Sequence, residues 1–429
     1  MVWLSAVAGL VFLVAGGAVA YALGAASILT FLLSDNARYL AIIPQRIFSQ
    51  IDVFALMAMP LFILAGEIMN IGGITRALIN VSMALLGRFR GGLGHVNILA
   101  SVFFAGISGS AVADAAALGN TLVPAMREKG YTPLYAAVIT AASSVIGPII
   151  PPSIVMIFYG AIMQTSVAAL FVGGILPGLL FAVALFAANS YFAHRDNHPG
   201  GRGADADLPP LRPALLRALP ALSLPAIILG GIVFGVVTPT EAAGLAVVAA
   251  ILVGIHYGGF TWGGFYKGLD QTARLTGSVF IILGAVSCFG WLAGNEQLPQ
   301  RLAAVITELG LGRLEYLLVL NLVFVAAGMI LDAPVALALL VPLLAPAAVE
   351  LGVHPVHLGI VLCINLTLGM VTPPLGACLL IVSAATRVDY WALARAIIPF
   401  ALIELAVLLL LILVPEISLF LPEAFGFIR

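Results

Sequence analysis

Apolar segments follow one another along almost the whole chain, and only short polar stretches separate them. A helix that crosses a membrane needs about 20 predominantly apolar residues. The pattern therefore predicts an all-α, polytopic membrane protein. The main apolar segments are Val2–Leu33, Val53–Met69, Leu170–Phe192, Leu215–Val237, Glu241–His256, Leu275–Ala293 and Arg395–Leu421.

Three stretches mix basic and apolar residues: Arg38–Asp52, Arg76–Arg90 and Thr261–Arg274. A helix of this composition lies in the membrane interface, with its apolar face towards the acyl chains. We therefore expect these three stretches to lie near the membrane surface.

Two other apolar segments are too short to span the bilayer. Gly94–Gly106 and Leu134–Ile146 have 13 residues each, which is about 20 Å of helix and reaches about midway. Each segment runs into a break rich in Gly, Ser and Pro, at Gly106–Ser110 and at Gly147–Pro152. This pattern predicts a re-entrant hairpin with its tip at Ser108–Ser110, and a broken transmembrane helix beside it.

The same layout returns 222 residues later without a gap. Ala and Leu match easily in so apolar a chain, but Gly and Pro do not, so we interpret the matches as an internal repeat. The repeat predicts a second hairpin with its break at Gly328–Pro334 and a second broken helix at Gly369–Pro374. The matched pairs are Gly106 with Gly328, Pro124 with Pro346, Gly130 with Gly352, Pro133 with Pro355, Gly147 with Gly369, Pro151 with Pro373 and Pro152 with Pro374.

These features divide the chain into two halves and a linker, although the residues alone leave open whether the repeats are inverted or parallel. We expect the hairpins and broken helices to form a mobile transport domain. The first span, the amphipathic stretches and the spans around Leu170–Phe192 and Leu215–Val237 would form a scaffold. The predicted parts are a first half, 1–193, with hairpin 94–127 and broken helix 134–163; a linker, 194–213; and a second half, 214–429, with hairpin 314–350 and broken helix 355–386.

Composition supports the membrane class and excludes several others. Hydrophobic residues make up 62% of the chain and charged residues only 9%, whereas about 25% are charged in a soluble domain. The net charge of -1 excludes a nucleic-acid-binding surface. Cys288, Cys363 and Cys378 lie in apolar segments without metal-ligand spacing, and their odd number argues against a disulfide framework.

Basic residues predict the orientation in the membrane. The first 37 residues contain no Lys or Arg, so the basic region of a cleavable signal peptide is missing. Arg38 and Arg46 follow the first span, which places that end in the cytoplasm and the N-terminus outside. By the same rule the linker is cytoplasmic, because Arg195, Arg202, Arg212 and Arg217 lie in or next to it.

Broken helices at membrane depth are suited to binding ions. Irregular backbone is tolerated there only inside protein or at a cavity. The C-terminal ends of half-helices offer carbonyl oxygens to a cation, and their N-terminal ends attract an anion. Oxygen-bearing side chains that favour an alkali cation lie near the breaks: Ser108, Ser110, Thr140, Ser143 and Ser144 in the first copy, and Asn365, Thr367 and Thr372 in the second.

Two acids and two Pro pairs near the breaks each have two interpretations. Asp114 follows Ser110 within the first helical turn, where it either complements the helix dipole or binds a ligand. Asp332 is either a simple N-cap or a site residue, because the repeat aligns it with Ser110 at the tip. Pro151–Pro152 and Pro373–Pro374 are either helix kinks or part of the sites.

Three glutamates, Glu67, Glu241 and Glu404, lie in or beside apolar runs. An acid inside a membrane is a candidate functional residue. A partner in the interface or on a neighbouring helix explains these three equally well.

A different class of protein shares one short motif with this chain. Gly106–Gly109 fits the G-x-S-G serine motif of rhomboid intramembrane proteases. Such an enzyme needs a base close to the serine, and of the six histidines only His256 ends an apolar span. The repeat replaces Ser108 with Ile330, so a nucleophile does not explain the symmetry. We therefore predict that the protein is not an enzyme.

The motifs at the tips and breaks resemble a known family. ISGSAVADAAALG at 107–119, VPAMREKGY at 123–131, GPIIPPS at 147–153 and LGMVTPPLG at 368–376 are similar to the large membrane subunit of tripartite ATP-independent periplasmic (TRAP) transporters. The resemblance covers nearly the whole chain. The ADAAALG run is more similar to the sialic-acid branch than to the C4-dicarboxylate branch.

The resemblance implies an inverted-repeat secondary transporter that works as an elevator, is driven by Na⁺, and lies in the bacterial inner membrane. It implies two partners, a periplasmic substrate-binding protein and a small four-helix membrane subunit, which we expect to be a separate polypeptide. The implied substrates are organic anions such as C4-dicarboxylates, sialic acid and other sugar acids. A stand-alone Na⁺/dicarboxylate carrier is the main alternative.

The resemblance also implies site residues, by motif, for two or more Na⁺ ions and for the substrate. No basic residue lies at any break, so the anion would depend on helix dipoles, hydroxyl groups and bound Na⁺. The implied Na⁺ residues are Ser108, Gly109, Ser110, Ser143, Gly147 and Ile150 in the first copy, and Gly328, Asp332, Asn365, Thr367, Gly369 and Thr372 in the second. The implied substrate residues are Ser110, Asp114, Pro151, Pro152, Ser153, Asp332, Pro373 and Pro374.

Overall fold

The computed structural model describes Phe12 and residues 18–33, 37–200 and 208–428. These residues form a bundle of helices, so the prediction of an all-α membrane protein is confirmed. In this part of the chain six helices are long and apolar enough to cross a membrane, or seven if a bent pair counts as one span. Most of the first predicted span, Val2–Leu33, lies outside the described residues, which cover its end from residue 18.

One set of helices, here called the scaffold group, consists of α1–α4 and α10–α13. In it α1 and α2 pack on α12, α3 packs on α11 and α12, and α4 packs along α10. The bounds are α1 Val19–Leu33, α2 Ile43–Ile51, α3 Ala58–Ile71, α4 Ile74–Leu86, α10 Leu211–Val233, α11 Pro239–His256, α12 Trp262–Asn295 and α13 Leu298–Glu308, with 3₁₀ turns at Ala37–Ile42 and Phe54–Met57.

The other set, here called the hairpin group, contains α5–α9 and α14–α20. The paired helices α5–α6 and α14–α15 form the two hairpins, and α7–α8 and α16–α17 are the two interrupted helices. The bounds are α5 Gly92–Ser108, α6 Ala111–Glu128, α7 Pro133–Ser143, α8 Ile154–Met163, α9 Val167–Arg195, α14 Arg313–Gly328, α15 Ala333–Glu350, α16 Pro355–Gly369, α17 Ala377–Thr386, α18 Tyr390–Ala396, α19 Ile398–Leu413 and α20 Glu416–Ala424, with a 3₁₀ turn at Ser144–Ile146 after α7.

The internal repeat is visible in the helix bounds. α15 begins and ends 222 residues after α6, and left-handed glycines, Gly130 and Gly352, follow these two helices. Pro133 and Pro355 then begin α7 and α16 in the first helical position, where the missing N–H costs nothing. The matched Gly and Pro residues therefore set the same helix boundaries in both halves.

Two elements differ from the sequence-based expectation. Thr261–Arg274 was expected to be a separate amphipathic stretch, but α12 continues through it as one helix of 34 residues. Leu170–Phe192 was expected in the scaffold, but α9 packs on α5, α16 and α19 of the hairpin group. The reason is that Gly174 and Gly178 let α9 approach the chain at Ile149 and Ile150 closely.

The start of the linker lies against the turns that precede α5 and α7. The carbonyl oxygen of Pro199 accepts hydrogen bonds from Gly91 N and from the Tyr131 hydroxyl, each over 3.0 Å. His198 stacks on Tyr135, with ring centroids 3.9 Å apart. These turns and the linker therefore mark one common side of the bundle, here called the linker side. Residues 201–207 of the linker lie outside the described residues.

One of the three glutamates in or beside apolar runs has a clear local role. Glu241 forms a capping box with Thr238 at the start of α11, and its Oε2 accepts from Thr238 N over 2.8 Å. The three cysteines are buried and free.

Candidate functional site

The first hairpin tip, Ser108–Ser110, sits directly on the break of the neighbouring helix. Gly109 has φ +59 and carries its carbonyl oxygen 3.4 Å from Ile154 N. A Cβ at Gly109 would collide with the carbonyl oxygen of Pro152, and one at Gly147 would lie 3.3 Å from the Ser110 carbonyl group. Glycine is needed at Gly109 because both its backbone conformation and its clearance exclude a side chain. The structure thus brings the first tip and the first break, Gly147–Pro152, into contact.

The second tip, Gly328–Asp332, meets the second break, Gly369–Pro374, in a similar way. A Cβ at Gly328 would lie 2.5 Å from the Leu366 carbonyl oxygen and 3.1 Å from the Cα of Gly369. Met329 O also accepts a hydrogen bond from Gly376 N over 3.1 Å. In each half the tip and the break, which are about 40 residues apart in the chain, therefore pack together. We call the two resulting tip-and-break pairs the first unit and the second unit.

Each tip ends in a residue that caps the following helix. Ser110 accepts from Ala113 N over 3.4 Å at the start of α6, and Asp332 Oδ1 accepts from Ala333 N over 3.0 Å at the start of α15. Ser153 caps α8 by accepting from Met156 N over 3.2 Å. Capping leaves free lone pairs on each of these oxygens. Asp332 is therefore an N-cap. Its carboxylate also lies at the second tip, so the cap does not exclude a role in binding.

A cluster of buried polar side chains lies within the first unit, between α5 and α7. Asn97 Nδ2 donates to Thr140 Oγ1 over 2.6 Å, and Ser143 Oγ donates to Asn97 Oδ1 over 3.0 Å. Ser101 Oγ donates to Ser143 Oγ over 3.0 Å. All four side chains are fully buried. Hydroxyl and amide oxygens are thus concentrated at one place in an otherwise apolar bundle.

Asp114 of α6 faces this cluster at Ser101, and its side chain is fully buried. Neither carboxylate oxygen makes a hydrogen bond of ordinary geometry within the described residues. The Oδ1 atom of Asn365, the residue that the repeat aligns with Ser143, also lacks a donor there. Buried acceptors without donors are rare and costly, and a cation bound beside each of them would offset that cost.

The other predicted oxygens of the second unit point back to their own helices. Asn365 Nδ2 donates to Val361 O over 2.9 Å, Thr367 Oγ1 to Cys363 O over 2.7 Å, and Thr372 Oγ1 to Leu368 O over 2.6 Å. These bonds use the donors and leave the oxygens of all three side chains free to accept.

A cavity of about 1600 Å³ lies between parts of the two groups of helices and reaches the first tip. Ser108, Gly109, Ser110 and Asp332 line it from the hairpin group, and α3, α4 and α10–α12 supply the facing wall. Pro209, Pro210 and Pro213 line its other end, which therefore lies on the linker side.

Several predicted residues lie away from this cavity. Asp114, Pro151, Pro152 and Ser153 are buried beneath the first tip and do not line it. Ile150 packs on Gly178 of α9. Pro373 and Pro374 are partly or fully exposed at the second break but are not part of the cavity wall. The roles assigned to these residues remain predictions.

Two members of the polar cluster, Asn97 and Ser101, were missed by the sequence reasoning. They are four residues apart and therefore share one face of α5. Asn and Ser at this spacing inside a short apolar helix are the signal that could have identified them.

Among the described residues no histidine hydrogen-bonds to Ser108, the serine of the G-x-S-G motif. Ser108 Oγ accepts a hydrogen bond from Ser110 N over 3.5 Å. Among the described residues the only side chain hydrogen-bonded to His357 is Ser418, and the only one bonded to His95 is Ser190. Neither histidine therefore activates Ser108.

Known proteins share the sequence and fold of this chain. A family profile described as "Tripartite ATP-independent periplasmic transporter, DctM component" matches residues 6–417. The chain is 38% identical to the sialic acid TRAP transporter large permease protein SiaM of Vibrio cholerae, over 92% of this chain and 93% of that protein. It is 37% identical to the C4-dicarboxylate TRAP transporter large permease protein DctM of Pseudomonas aeruginosa, over 94% of each chain.

A solved structure has a similar fold. The crystal structure of the YdaH transporter of Alcanivorax borkumensis matches with a TM-score of 0.56 and 16% identity, over 92% of this chain and 89% of that one. The relatives are named as permease subunits, which agrees with the prediction that the protein is not an enzyme. Together with the tips, breaks and membrane-length helices, these matches show that the chain belongs to the large-subunit (DctM) family of TRAP transporters and is a multi-pass membrane protein.

Proposed function

We propose that this chain is the Na⁺-coupled translocating subunit of a tripartite importer for small organic anions in the bacterial inner membrane. The observation that supports it most is Asp114, a buried carboxyl group that faces Ser101 but makes no hydrogen bond of ordinary geometry within the described residues, one helical turn from the tip that lines the cavity. An uncompensated buried carboxylate costs several kcal/mol. A Na⁺ ion bound beside it would offset that cost.

One Na⁺ would bind between the first tip and the buried polar cluster. Asp114 would supply the charge, and Ser101 and Ser143 would supply neutral oxygens. Ser108 and Ser110 would close the site from the tip. Carboxylate, hydroxyl and carbonyl oxygens are the ligands that a hard cation prefers.

A second Na⁺ would bind at the second unit. Asp332 would supply the charge, with Asn365 Oδ1 and the free oxygen lone pairs of Thr367 and Thr372. The close approach of Gly328 and Gly369 would bring backbone carbonyl groups of the tip and the break together. A cation here would also remove the repulsion between Asp332 and an anionic substrate in the cavity.

The coupling of ion and substrate follows from the arrangement along α6. Ser110 lines the cavity and caps the helix, while Asp114 binds the ion one turn later. An ion that orders this turn lowers the free energy needed to order the tip for the substrate. Ion and anion would therefore bind with positive cooperativity, and each would raise the affinity for the other.

The anion would bind between the two tips, where the N-terminal ends of α6 and α15 offer partial positive charge. The relatives named for sialic acid and for C4-dicarboxylates support an organic acid as substrate, and the ADAAALG run favours sialic acid. By the positive-inside rule the linker side is cytoplasmic, so the cavity represents an inward-open state. The hairpin group, built from two inverted repeats, would carry the tips across the membrane as an elevator.

Two partners would complete the importer. A periplasmic binding protein would deliver the anion, and a small four-helix membrane subunit would pack on the scaffold group. The test is uptake into vesicles that contain the large and small subunits, with an inward Na⁺ gradient, with and without the binding protein. Uptake of sialic acid or succinate that requires both supports the tripartite importer. Uptake that needs Na⁺ alone would instead identify a stand-alone carrier.

A further inference from the structure

The charged residues of the cavity are arranged by depth. At the deep end, Glu67 follows Gly66, which packs against Ser108 of the first tip. Asp332 of the second tip is the other acid in the wall. The arginines of the wall, Arg76 and Arg217, belong to the scaffold group. Arg217 follows the prolines of the linker side by one to two helical turns, and α4, which carries Arg76, packs along the same helix. Negative charge therefore lies near the tips and Arg217 near the mouth, with Arg76 on the helix that packs beside it.

Both arginines are exposed to the cavity and make no ion pair with a described residue. Two other arginines on this side have polar partners. Arg195 contacts Asp196 over 2.7 Å, and Arg90 donates to Asn197. An exposed guanidinium without a carboxylate partner is available to an anion in solution.

The backbones that carry the two arginines are fixed. The hydroxyl of Tyr257, at the end of α11, donates to the carbonyl oxygen of Arg217. The start of α4 is held to α3 by the Thr75 hydroxyl, which donates to Asn70 Oδ1 over 3.1 Å. The positive charges therefore have defined positions on the wall that faces the hairpin group.

We propose that Arg76 and Arg217 form a receiving site for the carboxylate group of the transported anion on its way from the tips to the cytoplasm. This inference rests on the proposed function. A guanidinium group binds a carboxylate through paired N–H donors, and a positively lined cleft raises the local anion concentration and the rate of transfer. The site remains on the scaffold, so it does not compete with the tips during translocation.

The acids at the deep end make the movement of the anion directional. When Na⁺ leaves the second unit, the carboxylate of Asp332 is uncovered and repels the anion. The anion then moves towards the arginines, where exposure to water keeps binding weak. Release into the cytoplasm would therefore be fast, because the arginines bind the anion only weakly.

The chain provides a matched control for the test. R76Q/R217Q removes two positive charges from the cavity wall. R88Q/R212Q removes two from the same side and the same two helix regions, but neither Arg88 nor Arg212 lines the cavity. Both double variants remove two of the basic residues that set the membrane orientation, so their effect on orientation should be the same. R76K/R217K keeps the charge and should retain most of the activity.

The measurement is anion efflux from vesicles preloaded with sialic acid or succinate, driven by an outward Na⁺ gradient, with the binding protein outside. For R76Q/R217Q we expect the half-saturating internal anion concentration to rise about threefold to tenfold. Choline chloride should shrink the difference, because salt screens exposed charges. An equal change in R88Q/R212Q, or no change in R76Q/R217Q, overturns the inference. If the wild-type complex transports neither anion, the proposed function fails as well.

Discussion

Gly66 of the scaffold group and Ser108 of the first tip are in contact: a Cβ at Gly66 would lie 3.8 Å from the Cβ of Ser108. This is the mean separation of Cβ atoms in a disulfide bond. The pair joins the two groups of helices that must move past each other in an elevator. A disulfide at this point should therefore hold the protein in the proposed inward-open state.

The first prediction is that G66C/S108C loses transport on oxidation and, on reduction, regains the level of the S108C single variant, which already lacks one proposed Na⁺ ligand. Two further pairs serve as controls because each joins positions within one group. A Cβ at Gly24 would lie 3.9 Å from the Cβ of Ala285 in the scaffold group, and one at Gly119 would lie 3.7 Å from the Cβ of Ala385 in the hairpin group. Oxidised G24C/A285C and G119C/A385C should transport normally. Normal flux in fully crosslinked G66C/S108C would contradict the elevator.

The second prediction concerns the buried acid of the first unit. D114N keeps the size of the side chain and removes its charge, so the half-saturating Na⁺ concentration should rise about tenfold or more. D270N is the control, because Asp270 is exposed and pairs with Arg274 over 2.8 Å on the surface of α12. Uptake at stepped Na⁺ concentrations measures the effect. An unchanged Na⁺ dependence in D114N would show that Asp114 only complements the helix dipole.

The third prediction separates the two roles of Asp332. D332N retains an N-cap, whereas D332A loses it and should lower the stability by about 1 kcal/mol. If the carboxylate binds a cation, both variants lose Na⁺-driven uptake, but only D332A unfolds at a lower temperature. D332N with normal uptake would leave Asp332 as a cap alone. Thermal unfolding of the purified complex and uptake into vesicles give the two readouts.

The fourth prediction tests the close contact in the second unit. G328A places a Cβ 2.5 Å from the Leu366 carbonyl oxygen, so the tip or the break must shift. We expect loss of uptake and a lower unfolding temperature. G290A, on α12 with no atom within 4 Å of the new Cβ, should be neutral or more stable by up to about 1 kcal/mol. Equal behaviour of the two variants would contradict a packed second unit.

Tips and breaks were recognisable in the sequence because they depend on local chemistry. Gly109 supplies a left-handed backbone, Pro133 and Pro355 begin helices, and short apolar runs cannot span a bilayer. These signals lie within a few residues of the feature they produce. The repeat strengthened them, because the same signals occur twice at one offset.

The contacts between distant segments were not recognisable. Asn97 and Thr140 are in contact because α5 and α7 pack together, and the sequence around either residue does not predict this contact. Arg76 and Arg217 share one cavity for the same reason. The position of α9 depends on Gly174 and Gly178, which in the sequence are ordinary residues of an apolar span. Periodicity could not show that α12 is continuous, because an amphipathic start and an apolar continuation also fit two separate elements.

Coupling between Na⁺ and the anion is the central claim, and simultaneous uptake of both tests it most directly. Vesicles with the large and small subunits receive the binding protein, labelled sialic acid or succinate, and radioactive Na⁺. We predict that Na⁺ enters together with the anion, that replacing external Na⁺ with choline stops anion uptake, and that D114N weakens both fluxes together. Anion uptake that is equally fast in choline, or that occurs without Na⁺ entry, would contradict the account.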